Sequence, residues 1–449
     1  MSTLQERFDE LIHSGEARRR GPLIFKTADR VDHQVNLTTQ IVDLILEQAI
    51  LERASDVHFE TIEEKLRVRY RIDGRLYEAL CIDNDPNLTI LSRVKILANL
   101  ATDSMAKKKS QDGRFTLHFG SNVYDFRVAT FPTIQGEKMA VRILSQDLGL
   151  IQLDKLGLNP FDLKRLDKLL HHKGGLILVS GPMGCGKTTT LYAILNKLNK
   201  PDVNIVTLED PVEYQFAGMN QCDIRAKTEF GFAEGLRAIL RQDSDVILLG
   251  EIRDTETAEI TLRASITGHI VLSSIHANSA IGTILRLLNM GLERYMVSYA
   301  LIGAIAQRLV RKICQHCKTQ HVVSPELLKR FKDDFGNDIN FLTSVAETTA
   351  EGDIKYISEG GGTDTSLVLY KGEGCSHCYG SGYLGRTGIF EVVLFDEELR
   401  QAILRGASAS ELKEIAVRQG TRLLGMDGLR KIKQGITTLD EIIPVLVDK

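Results

Sequence analysis

The stretch Gly181-Pro182-Met183-Gly184-Cys185-Gly186-Lys187-Thr188 constrains this chain more than any other, because it fits the loop G-x-x-x-x-G-K-[ST]. Before it, GGLILVSG (174–181) reads as a short apolar strand; after it, TTTLYAILNKLNK (188–200) reads as a helix. Strand, glycine loop and helix together make a phosphate cradle. The glycines let backbone N–H groups curl around the anion, and the helix N-terminus adds positive potential. In this reading Lys187 reaches the β- and γ-phosphates, Thr188 ligates Mg²⁺, and Thr189 closes the nucleotide-binding set.

The segments that follow repeat the strand–helix alternation. VNIVTLED, DVILLGE and HIVLSSIHA are three further apolar strands separated by helical stretches. Four such strands argue for an α/β domain, a parallel sheet with helices on both faces. Ligands then bind at the carboxyl ends of the strands, where this sequence places acids. VILLG ends in Glu251, an acid for the Mg²⁺ shell or for activating water. The second strand ends in Glu209 and Asp210, followed by Pro211 and Glu213. Glu209 either shares metal or water positioning with Glu251 or caps the following turn. His269 and His276 flank the fourth strand; each is either structural or placed to sense a γ-phosphate.

Seven cysteines, an odd count, argue against a disulfide framework. Four form the pairs Cys314/Cys317 and Cys375/Cys378, with 57 residues between them, whereas Cys81, Cys185 and Cys222 are scattered. Two-residue spacing lets two thiolates face one tetrahedral ion, and four close the site. The expectation is a structural Zn²⁺ clipping an excursion, 318–374, at its base, against the alternative of four free thiols. His316 and His377 lie inside the pairs and could substitute as ligands, but an all-cysteine set is simpler.

Upstream, Leu37, Ile41, Leu44, Ile45, Ala49 and Ile50 recur at helical spacing. VHFE, then LRVRYRID-GRLYEAL with its Asp73-Gly74 turn signal, then FTLHF, VYDFRVAT and MAVRIL read as strands. Residues 37–145 thus read as a compact α+β domain, with a further helix near 87–100. Arg71, Arg75, Arg127 and Arg142 sit in its strands. They are either solvated surface charges or cations that neutralise a transferring phosphate. Residues 1–36, charged and containing Arg18-Arg19-Arg20, read as a tail or docking segment, and the Gly-containing 146–160 as a linker.

The 449 residues carry 56 basic against 59 acidic side chains, a net charge of -3, and no tryptophan. A basic surface and stacking aromatics are what a nucleic-acid binder needs, so nucleic acid is not expected as a partner. No run of 18 apolar residues exists; LIGAIAQRLV (301–310) is broken by Gln307 and Arg308. The acids Glu6, Asp9 and Glu10 stand where a signal peptide needs an apolar core, so a cytoplasmic location is expected.

These motifs resemble the ATPases that drive type II secretion and type IV pilus assembly. The likeness runs through ASDVHFE, RYRIDGRL, KSQDGRF, FRVATFPTIQGEKMAVRIL, SGPMGCGKTTTLYAIL, VTLEDPVEYQ, LRAILRQDSDVILLGEIRDTETAEI, ASITGHIVLSSIHANSA and AQRLVRKIC, and covers about 37–440. The resemblance implies a homohexameric ring that hydrolyses ATP with Mg²⁺ and works on an inner-membrane platform protein, and indirectly on pilin subunits. It implies a PAS-like domain (37–145) and a RecA-like P-loop core (161–310). A tetracysteine zinc element (311–386) and a helical C-terminal region (387–449) follow. Glu251 would be the Walker B acid, Glu209 the acid of the aspartate box and His276 part of the histidine box. Arg127 and Arg142 match positions that approach the nucleotide, so that closure of the linker completes the site. The cysteine pairs match assembly-type members; retraction motors have a similar core without them. Met183 and Cys185 stand where the family has Thr and Ser. The short segment before residue 37 points to a pilus system rather than to secretion. Two rivals stand beside this reading: a RecA-like nucleic-acid translocase, and a non-hydrolysing zinc scaffold switched by nucleotide.

Overall fold

A computed structural model describes residues 4–14, 37–83, 89–103, 105, 108–145, 152–224, 230–322, 356–357 and 366–447. The chain divides into two compact units, Met1–Leu148 and Gly149–Lys449.

In the first unit the strands are β1 (Ala54–Ile62), β2 (Lys65–Ile72), β3 (Arg75–Asp83), β4 (Gln111–Phe119), β5 (Asn122–Thr133) and β6 (Gly136–Ser145). They form one sheet in the order β3-β2-β1-β6-β5-β4, every neighbouring pair antiparallel. Alternation dictates the two faces. In β2, Leu66, Val68 and Tyr70 are buried, while Arg67, Arg69 and Arg71 point the other way. The apolar face packs against α2 (Leu37–Leu51) through Ile41, Val42, Ile45 and Ala49, Tyr70 donates its hydroxyl to Ile45 O at 2.6 Å, and α3 (Ile90–Leu97) adds Ile90 and Val94 to the same core. The β2–β3 turn has φ of 48° at Asp73 and 90° at Gly74, as the Asp-Gly signal requires.

Part of the charged start, expected as a tail or docking segment, is ordered. It forms a helix, α1 (Leu4–Ser14), whose Leu4 and Phe8 join this core at helical spacing, and Arg7 donates to Gln48. The remaining residues of that segment, 15–36, lie outside the described residues. So do 146–151 of the expected linker. The rest of that linker is built into the second unit: a 3-10 turn over Leu153–Leu156, then Gly157 at φ 96°, then Asn159 capping α4 (Pro160–Leu170). A Cβ on Gly157 would lie 2.2 Å from Thr387 Oγ1, so the chain passes there only as glycine.

The second unit holds β7 (Gly175–Ser180), β8 (Ile205–Glu209), β9 (Asn220–Asp223), β10 (Val246–Leu249), β11 (Ile270–Ile275), β12 (Leu301–Ile313) and, near its C-terminal end, a strand over Tyr383–Leu394. The order across the sheet is that last strand, then β12-β7-β11-β10-β8-β9; all are parallel except the last, which runs against β12. Every residue of β7, β8, β10 and β11 is buried, so both faces are covered. Among the covering helices are α5 (Lys187–Leu198), α7 (Thr255–Ile266), α8 (Ala280–Asn289) and α9 (Arg294–Ala300), with α6 (Phe232–Ile239) over β8. Four helices follow the edge strand: 397–405, 409–418, 424–433 and 439–447.

Three strands of this sheet go beyond the four expected: β9, β12 and the edge strand. The broken apolar run at 301–310 is the first part of β12, and the edge strand runs through 383–394; they cross the boundaries placed at 310/311 and 386/387. The zinc element is therefore an excursion between two paired strands of the main sheet. Its base is a small sheet in which β13 (Lys318–Val322) pairs with a strand over Ser366–Gly372. Most of the excursion between them lies outside the described residues.

Candidate active site and metal centre

β7 and β11 run parallel with Ser180 opposite Ile275, so the loop after Ser180 and the loop after Ile275 emerge at the same carboxyl edge. The phosphate loop closes tightly there. Gly181 has φ 150°, and a Cβ on it would lie 2.5 Å from Cys185 Sγ and 2.6 Å from Gln307 O. Gly186, at φ 89°, opens α5 without any side-chain cap, which leaves the first-turn N–H groups for an incoming anion. Cys185 is buried and Met183 is exposed, so the two departures from the family pattern are accommodated in opposite ways. Lys187 Nζ folds back onto Gly181 O (2.8 Å) and Pro182 O (3.0 Å). Partial burial lowers its pKa, against the pull of Cys185 and the Glu251 carboxylate. Thr188 is exposed on the first turn of α5, and Thr189 is half-buried.

Glu251 follows β10 on the same edge. Its Oε1 accepts from Arg253 Nε at 2.6 Å and also from Nη2, and its Oε2 lies 3.6 Å from His276 Nε2. Arg253 Nη1 lies 3.6 Å from Asp210 Oδ2, so one guanidinium spans acids from two strands. The Glu251 hydrogen bond holds the Arg253 pKa above its ordinary value. The structure thus gathers Lys187, Glu251, His276, Arg253 and Asp210 at one edge.

Glu209 lies elsewhere. Its carboxylate is buried and takes hydrogen bonds from Thr207 (2.6 Å), Gln221 (3.3 Å) and the Tyr192 hydroxyl. Burial raises its pKa. The acid at this strand end that meets the Glu251 group is Asp210. His269 is at the opposite edge of the sheet, just before β11, where its Nδ1 lies 3.0 Å from Ala264 O. Six strand residues, roughly 20 Å, separate it from the phosphate loop.

Sequence reasoning passed over Arg253 although it stands two residues after Glu251. It passed over Tyr192 because its partner is 17 residues away.

In the first unit, direct cross-strand register aligns Arg114 of β4, Arg127 of β5, Arg142 of β6, Asp56 of β1 and Arg71 of β2. Arg142 Nε donates to Asp56 Oδ1 at 3.1 Å, and Arg71 Nε lies 3.8 Å from Oδ2. Like charges directly opposite in a sheet destabilise it, so three arginines in adjacent register come at a cost to folding. Arg75 lies just past that row, opposite Ile72.

The four sulfurs of Cys314, Cys317, Cys375 and Cys378 lie within 4.8 Å of one another. The pairs 314–375, 317–378 and 375–378 are 3.9, 3.7 and 3.7 Å apart. A tetrahedron with Zn–S of about 2.3 Å has sulfur edges of about 3.8 Å, so the set fits Zn²⁺. Backbone N–H groups of Gly374, Cys375 and Gly382 point at Cys317 and Cys378 Sγ (3.2–3.3 Å), as thiolates require. His316 and His377 stack on each other, ring centroids 3.9 Å apart, and stand outside the ligand group.

Residues 32–444 match the family model described as "Type II/IV secretion system protein". The chain belongs to that family. It is 41% identical over 406 residues to the type II secretion system protein E of Pseudomonas aeruginosa, covering 90% of this chain and 75% of that one. It is 42% identical over 407 residues to the type IV pilus assembly ATPase PilB of Myxococcus xanthus, covering 90% and 67%. The X-ray structure of the Legionella pneumophila ATPase DotB superposes with a TM-score of 0.64 at 19% identity, covering 93% of this chain and 97% of that one, which shows a shared fold.

This member of the type II/IV secretion family is accordingly an ATP-hydrolysing enzyme of the secretion and pilus kind, not a nucleic-acid translocase. Among the described residues no helix is long and apolar enough to cross a membrane.

Proposed function

We propose that this ATPase works as a homohexamer in the cytoplasm, against an inner-membrane platform protein, and drives assembly of pilin-like subunits into a pilus or pseudopilus. The observation that carries the reading is the conjunction of a complete phosphate-loop edge with a closed tetracysteine site, in a chain about equally similar to secretion and pilus-assembly ATPases.

In this reading the backbone from Gly181 to Gly186 and the Lys187 ammonium hold the ATP phosphates, and Thr188 and Thr189 close the loop. Thr188 would hold Mg²⁺, and Glu251 is placed to orient and deprotonate the attacking water. ATP has to draw Lys187 off the Gly181 and Pro182 carbonyls, which exchanges two backbone hydrogen bonds for phosphate contacts. His276 approaches the Glu251 carboxylate from the neighbouring strand and is placed to register the γ-phosphate. Glu209, locked by three donors, contributes by shaping the β8 end that presents Asp210. Arg127 and Arg142 supply positive charge to the transferring phosphate, which is the return for their costly register. Cys314, Cys317, Cys375 and Cys378 would hold Zn²⁺, which would tie the base of the excursion without chemistry of its own.

The test is complementation. In a strain lacking the chromosomal copy, Lys187→Ala should give protein at normal abundance with no surface filaments and no secreted pseudopilus substrate. Filament assembly by that variant would overturn the reading.

A further inference from the structure

Gln307 and Arg308 end the apolar run that opens β12, and the fold puts them beside the phosphate loop. Ala306 is the last β12 residue opposite β7, so Gln307 and Arg308 run on alongside the loop itself. Gln307 Nε2 donates to Cys185 O at 2.8 Å, and a Cβ on Gly186 would lie 3.2 Å from that nitrogen. Arg308 is only 6% exposed. Its Nη1 donates to Gln307 O (3.1 Å), the carbonyl against which Gly181 packs, and its Nη2 donates to Asn278 O (3.1 Å).

Asn278 belongs to the short loop that carries His276 into α8. That loop is fixed at its far end as well, where the Ala280 N–H donates to the buried Glu391 at 2.9 Å. Burying a guanidinium is costly unless its donors are used. A leucine would serve the strand's packing; only a planar fork reaches the Gln307 carbonyl on its own strand and the Asn278 carbonyl on the neighbouring loop at once.

We propose that Arg308 is a positioning residue for phosphoryl transfer. It ties the β12 carbonyl on which Gly181 packs to the loop bearing His276, so that the phosphate cradle and the Glu251–His276 pair keep one spacing while the nucleotide changes. Gln307 holds the Cys185 carbonyl away from the cradle, leaving N–H groups to face the phosphates. The inference rests on the assignment of the phosphate loop, and wild-type binding of a fluorescent ADP analogue tests that assignment separately.

The experiment uses the full chain with Arg308→Met and Arg308→Lys, and measures kcat, KM for ATP, affinity for the ADP analogue and the thermal unfolding profile. Small displacements of catalytic groups cost up to ~10²-fold, so Arg308→Met should lower kcat ~10- to 100-fold. KM and ADP affinity should stay within ~3-fold, because the lost interaction acts in the transition state rather than in binding. Arg308→Lys keeps the charge without the fork and should stay at least ~5-fold below wild type in kcat. A merely structural arginine gives a different pattern: kcat falls only in proportion to the folded fraction, with ADP binding lost in parallel. That pattern, or wild-type kcat in folded Arg308→Met, overturns the proposal. If Arg308→Met does not fold, Arg308→Lys decides alone, and wild-type kcat in it overturns the proposal equally.

Discussion

In the sheet of residues 54–145, strands such as β2 alternate, with one face carrying Leu66, Val68 and Tyr70 and the other Arg67, Arg69 and Arg71. In the sheet of the second unit, β7, β8, β10 and β11 expose no residue at all. Antiparallel pairing needs only one covered face, so the first unit keeps a broad polar face on which charges can be set in register. A parallel sheet buried on both sides has no such face, and its chemistry is confined to the loops at its carboxyl edge. One region therefore holds cations in rows and the other holds a phosphate loop, an acid and a histidine at strand ends. The same polypeptide solves charge placement in two ways, and each fails differently when altered.

The largest effect that tests this contrast is on the polar face. On the proposed reading, Arg127→Ala and Arg142→Ala should each leave a folded protein whose ATP turnover is reduced ~10³-fold, the loss expected when a cation on a transferring phosphate is removed. Wild-type turnover would return both to the class of surface ion pairs worth about 1 kcal/mol or less. The contrast would then rest on the second sheet alone.

Zinc removal should act on neither sheet's centre. The purified chain should carry about one Zn²⁺, and Cys375→Ser should abolish it. Limited proteolysis should then cut within 318–374 well before the phosphate loop is released. A chain without zinc whose four thiols all react freely in the native state would contradict this.

A smaller effect comes from the other end of the polar face. Glu60 is buried, which alone would raise its pKa, but hydrogen bonds from Arg69, Arg67 and Lys138 outweigh burial and hold it at about 2, below the ordinary 4.5. A depressed carboxyl contributes stability that is full above about pH 4.5 and disappears as pH falls towards 2. Glu60→Gln should therefore lower stability at pH 7 by roughly 1–3 kcal/mol, the worth of charge-assisted hydrogen bonds. In denaturant titrations the difference from wild type should shrink below pH 4.5. A difference independent of pH would mean that the loss is packing rather than charge.

Much of both sheets is legible in the residues, for reasons the contrast explains. Alternation marks β2 and β5, and Asp73-Gly74 marks the turn, because a one-faced sheet writes its faces into the sequence. β12 is buried on both faces, so LIGAIAQRLVRKI has no alternation to read, and Gln307 and Arg308 look like interruptions until the phosphate loop is seen beside them. The helix over 4–14 spaces Leu4, Phe8, Leu11 and Ile12 at i, i+4, i+7 and i+8, a helical pattern that is short and masked by the charges around it.

At the site, the glycine loop and the paired cysteines announce themselves because their chemistry needs fixed local spacing. Which of two adjacent acids faces the site does not. Glu209 and Asp210 sit on opposite sides of one strand end, and the choice is made by Thr207, Tyr192 and Gln221, the last two distant in sequence. His269 and His276 bracket a strand symmetrically in sequence, yet only chain direction sets which reaches the ligand edge.

The account's central claim is that hydrolysis is performed at that edge, by Glu251 acting on a nucleotide held by the phosphate loop. Its most direct measurement is nucleotide binding and turnover side by side on purified Glu251→Gln. The account predicts ATP binding within ~3-fold of wild type and turnover lower by ~10²–10⁴-fold, the usual cost of losing the group that activates water. Wild-type turnover in that variant would contradict it.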